Sequence, residues 1–130
     1  MVDDRTFLQE LKLGDSISPV RANLLLAREI AYPSLVPSTV LDDLEKLASI
    51  AAEMIPVTGS HRDRGAALAS WLFGAAGYRG DRDEYQDPRN AYINEVIFRK
   101  LGLPITLSVM FVHVAERLGI RAHGVGLPGH

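Results

Sequence analysis

The run from Leu101 to Ala115, fifteen consecutive residues without a charge, constrains this chain more than any other feature. Pro104 stands where a first helical residue is favoured and Gly119 where a helix closes. Between them Ile105, Leu107, Val109, Met110, Phe111, Val112, Val114 and Leu118 fall on all sides, with charges only at Glu116 and Arg117. A helix that is apolar all round is covered all round, so the pattern predicts a central helix over 104–118. At fifteen residues, broken by Pro104, Thr106, Ser108 and His113, the run falls short of the roughly twenty needed to span a bilayer.

The remaining chain must wrap this rod. One hundred and thirty residues suit a single domain with one core. Phe7, Leu8 and Leu11 predict a short first helix stopped by Gly14. Ser18-Pro19 starts a second, carrying Ala22, Leu25, Leu26 and Ile30, and Pro37-Ser38 starts a third, striped by Val40, Leu41, Leu44, Leu47, Ala48, Ala51 and Met54. A fourth spans about 61–76. The short breaks between them suit a helical bundle over 1–77. A polar loop of turn formers follows Gly77 and leads to a helix over about 90–100. Asp87 or Asn90 is placed to cap it, Ile93, Val96 and Ile97 form its buried side, and Gly102 ends it. Ile120 to Leu127 reads as a strand that Pro128-Gly129 terminates. One strand is not stable alone, so an unfinished sheet edge is expected at 121–127, completed by chain beyond His130 or by a second copy.

Composition excludes several classes of function. With 47% hydrophobic and 23% charged residues the chain is neither disordered nor low in complexity. No cysteine is present, which removes disulfides, thiolate nucleophiles and Cys-ligated zinc. A net charge of -2 supplies no general attraction to nucleic acid. Acids occupy the positions where a secretory leader would be basic, so a cytoplasmic location is expected, with no membrane segment. His61 and Asp63 lack further ligands at a useful spacing, and His113 on an apolar helix reads as a hydrogen-bonded core histidine, so neither a metal nor a cofactor is expected.

Elementary geometry links the two ends of the last unit. Fifteen helical residues advance about 22 Å, and nine or ten extended residues return about 30 Å. A strand folding back on the helix would bring His130 near Pro104 to Ser108. Free N–H groups and the helix dipole at that end favour negative charge, an arrangement suited to acid/base chemistry.

Several motifs then fall into a familiar order. They are Leu72-Phe73, Gly77-Tyr78-Arg79-Gly80, the stretch from Tyr85 to Val96 containing Asp87-Pro88-Arg89-Asn90, Leu103 to Val109, and Gly124 to His130. Together they resemble the SirB-type branch of the transglutaminase-like superfamily, most specifically over 70–130. The resemblance implies an α+β, predominantly helical fold. An N-terminal helical bundle (1–77) would lead into a transglutaminase-like, cysteine-proteinase-like core (78–130), where a buried central helix packs on an incomplete antiparallel sheet, truncated after His130. Active members are similar to papain-like enzymes, with a Cys at the helix start, a His on the first strand and an Asp or Asn on the next. His130 matches the catalytic His. The nucleophile's place falls near Pro104 to Thr106, where no cysteine stands, and the third residue would lie past His130.

Three functions follow as expectations: a catalytically inactive domain that binds a protein or peptide, a hydrolase or acyl-transferase with another nucleophile, or a structural module of a longer polypeptide. For the second, Thr106 or Ser108 would supply the hydroxyl and His130 the base. Their structural alternatives are a capping or back-bonding hydroxyl at Thr106 and a small packing residue at Ser108. Tyr85, Asp87, Asn90 and Asn94 are candidates for a polar cleft, or for caps and turns.

Overall fold

A computed structural model of the chain describes residues 5–121. Helix α1 (Phe7–Leu11) is started by a capping box, in which the Thr6 hydroxyl accepts from Gln9 N–H and the Gln9 side chain accepts from Thr6 N–H. Helix α2 (Pro19–Ile30) begins at Pro19, with the Ser18 hydroxyl accepting from Arg21 N–H. Helix α3 (Pro37–Met54) again opens on a proline, and α4 (His61–Ser70) on Ser60, whose hydroxyl accepts from Asp63 N–H. Helices α5 (Ile93–Arg99) and α6 (Pro104–Arg117) follow the polar loop.

Each helix turns one stripe inward. Val20 and Leu24 of α2, Val40, Leu44, Ala48 and Ala51 of α3, Leu68 of α4 and Ile93 and Val96 of α5 share one core with Leu107, Met110, Phe111 and Val114 of α6. Helix α6 touches α2, α3, α4 and α5, so it is central as its composition requires. Phe111, 1% exposed, stacks on Phe73 with ring centroids 6.1 Å apart. Burying a side chain of this size contributes about 1.5–3 kcal/mol. Helix α6 is not covered all round by the described residues, however. Ile105 is 66% exposed, and Ser108, Val109 and Val112 are only half-buried. Apolar composition marks a helix for burial but does not say which chain segment covers each side.

Three local readings change. The expected helix over 61–76 divides: α4 stops at Ser70 and a wider π turn spans Trp71–Ala75, with Ala76 N–H reaching Trp71 C=O at 2.8 Å. The expected helix over 90–100 also divides, into a 3₁₀ turn (Pro88–Ala91) capped by the Asp87 carboxylate and α5 proper. Lys100, not Gly102, ends α5, in a left-handed conformation with φ 61°. Gly102 serves packing instead. A Cβ there would stand 3.0 Å from Val96 Cγ1 and 3.4 Å from Leu107 Cδ2, distances that require the neighbours to give way.

The sheet also differs in kind. The described strands are β1 (Arg79–Gly80) and β2 (Leu101–Gly102), which pair in parallel, Arg79 with Leu101 and Gly80 with Gly102. The antiparallel sheet expected from the resemblance is therefore not the one observed. Two residues per strand leave no alternation in the sequence to read. The edge expected at 121–127 lies outside the described residues except for Arg121, whose N–H donates to His61 Nδ1 at 3.1 Å.

Candidate functional site

The front of α6 is positioned by a polar corner built on Asn90, which is completely buried. Its carbonyl accepts from Leu103 N–H, one residue before the helix, at 3.0 Å. Its amide donates to the Glu84 carbonyl at 3.0 Å and to Asp81 Oδ2 at 3.2 Å, and its Oδ1 accepts from Arg99 at 3.1 Å. Arg99 pairs in turn with Asp81 at 3.4 Å and Asp87 at 3.5 Å. One buried amide thus ties the loop, the end of α5 and the start of α6 together, and mutual satisfaction is what makes its burial tolerable.

Charge in this corner is held in fixed protonation states. Glu84 N–H, donating to Asp81 at 2.9 Å, is the main cause that lowers the Asp81 pKa, helped by Asn90 and Arg99. The Arg89 guanidinium and backbone N–H lower the Asp87 pKa to about 2. Both carboxylates are anions at neutral pH with their partners in place, which suits wiring better than proton transfer.

Of the four polar-cleft candidates, Tyr85 and Asp87 line an open depression of about 530 Å³ formed by Arg82–Pro88, and Tyr85 is 61% exposed. Asn90 lies beneath it as the fastener. Asn94 is not brought in, and its Oδ1 is buried with no hydrogen-bond partner among the described residues. Three further polar fasteners carried no local signal. Asn23 of α2 clasps α5, donating to Ala91 C=O at 2.8 Å and accepting from Ile93 N–H at 2.9 Å. The Tyr32 hydroxyl donates to Glu95 at 3.0 Å, and burial together with that carboxylate pushes its pKa up to about 12. The buried Glu10 carboxylate accepts from Arg5 at 2.9 Å and Ser18 N–H at 2.8 Å, pinning α1 to the start of α2.

The open side of α6 faces a groove of about 440 Å³. Ser16–Val20 form one wall, and Ile105, Ser108, Val109, Val112, His113 and Glu116 the other. Of the hydroxyl candidates, Ser108 faces this groove and donates to the Pro104 carbonyl one turn back at 2.8 Å. Thr106 is 3% exposed and turned into the protein. His130 lies outside the described residues, so neither hydroxyl has a measured separation from it. Among the described residues no three His, Asp or Glu side chains gather as metal ligands. No helix there is long and apolar enough to cross a membrane.

The chain belongs to the transglutaminase-like superfamily, whose model matches residues 38–130. It is 39% identical over 124 residues to a UPF0162 protein of Xylella fastidiosa, covering 91% of this chain and 42% of that protein. It is 24% identical over 103 residues to protein SirB1 of Salmonella typhimurium, covering 79% of this chain and 38% of SirB1. Human F-box only protein 21 shares 30% identity over 59 residues, 9% of its length. Within the superfamily these relatives place the chain in the SirB-type branch. It spans about two-fifths of the length of the Xylella and Salmonella relatives. No solved structure gives a significant match.

Proposed function

We propose that this chain is a catalytically inactive transglutaminase-like domain that binds a protein or peptide. The observation that carries the reading is the occupant of the nucleophile's place. Pro104-Ile105-Thr106 opens α6, near where the family resemblance puts the cysteine of active members, and the sequence contains no cysteine at all. A helix N-terminus lowers a thiol's pKa into the working range, whereas a hydroxyl there needs a positioned base and an orienting acid as well. The burial of Thr106 argues against its access to a substrate, and the bond from Ser108 to Pro104 is the back-bonding expected of a serine inside a helix.

The groove beside α6 supports the binding half of the proposal. Ile105, Val109 and Val112 offer an apolar floor, with Ser108 and the Ser16–Val20 segment at its margins. A photo-crosslinking residue at Val112 of the intact protein tests this in cells, with Phe98, 70% exposed on α5, as the control position. A discrete adduct at Val112, absent at Phe98 and lost with Val109→Asp, is expected. No adduct, or the same adducts at both positions, contradicts a binding role for this face. An adduct of twice the chain's mass would point instead to self-association.

A further inference from the structure

We propose that His113, Glu45 and Arg117 form an acid-sensitive latch between α6 and α3. At the groove's inner wall the His113 side chain is 12% exposed, and its Nε2 is buried with no hydrogen-bond partner among the described residues. A buried imidazole nitrogen left unpaired is costly, so the ring gains by taking a partner that comes within reach. The acceptor is at hand. Glu45 Oε1 of α3 stands 4.0 Å from Nε2, just beyond hydrogen-bond reach, while it accepts from Arg117 Nε at 2.6 Å.

The two donors aim at one oxygen of the same carboxylate. Neutral His113 leaves Glu45 to Arg117. A protonated ring donates from both nitrogens, and a small rotation brings Nε2–H onto Glu45, which weakens the hold of that oxygen on the more exposed Arg117. The charged groups acting on the ring are Glu45 from α3 and Arg117 and Glu116 from α6 itself, and the facing Ser16–Val20 segment carries no charge. Burial is the main cause that lowers the His113 pKa, Arg117 lowers it further, and the two glutamates oppose them. The sign of the coupling follows. The folded state binds this proton less readily than the unfolded chain, so stability is full above pH 6.5. It falls as pH drops from there through the folded-state pKa.

The test follows the His113 Cε1–H signal and the Arg117 Nε–H signal by NMR through an acid titration of the intact protein. The expected result is that both move with one midpoint below 6.5, that Glu45→Gln lowers this midpoint, and that Arg117→Met raises it. Thermal melts at pH 7.5 and 5.5 give the second reading, with a smaller loss on acidification in His113→Gln than in the unaltered protein. An Arg117 signal indifferent to the His113 titration, or a midpoint that neither substitution moves, overturns the latch.

Discussion

The corner around Asn90 and the open side of α6 meet at Leu103, yet they treat polarity in opposite ways. In the corner Asp81, Asn90 and Arg99 spend their hydrogen-bonding groups on one another and on the loop backbone. Along α6 the accessible surface is mostly aliphatic, with hydroxyls at its edges. The conspicuous polar motif thus wires the corner together while its loop borders the open depression at Arg82–Pro88, and the inconspicuous groove beside α6 has the more apolar lining. In this fold a cluster of Asp, Asn and Arg is a poor guide to a site unless its groups have bonds to spare.

Substitutions on either side sharpen that contrast. Phe111→Ala, on the inner side of α6, is expected to cost about 3–5 kcal/mol in urea unfolding, because the cavity lies between packed helices. A cost below 1 kcal/mol would show that the inner side is not the core. Asn90→Ala should cost about 2–3 kcal/mol, since it leaves buried partners without their bonds. A neutral result would mean that water replaces the amide and that the corner is not wired as described.

Gly102→Ala, where the corner passes into α6, is expected to cost about 1–2 kcal/mol through overpacking. The double variant with Val96→Ala should recover part of that loss if the 3.0 Å approach is the cause. The corner also has a pH signature. The Asp87 pKa is depressed from 3.8 to about 2, so its contribution to stability is present above 3.8 and is lost as pH falls from 3.8 towards 2. Arg89→Ala should move the Asp87 titration, followed by carboxyl-carbon NMR, upward. Ile105→Ser, on the open side, should change stability by no more than about 0.5 kcal/mol. A large loss there would show that the side chain packs against a further part of the protein.

The sequence is most informative where structure is local. Pro19, Pro37 and Pro104 stand at the first positions of α2, α3 and α6, and Gly119, with φ 74°, follows the end of α6. The motif order that resembles the SirB-type branch agrees with the family match over 38–130. Long-range wiring leaves no such trace. Asn23 meets residues 68 and 70 positions away, and nothing near Asn23 announces them. Glu10 is completely buried on a helix whose pattern marks it as a surface acid, because its partners arrive from Ser18 and Arg5. Asp87 and Asn90 look alike as cap candidates, and only the packed loop separates the half-buried 3₁₀ cap from the fully buried fastener.

The most direct test is turnover. The intact protein is assayed with a glutamine-donor peptide and a primary amine, and with small ester and peptide substrates, beside Ser108→Ala and Thr106→Val. Rates equal to the buffer background in all three proteins are expected on the proposed reading, because the chain carries no thiol. Turnover in the unaltered protein that disappears in either variant would contradict this and make the front of α6 an active site.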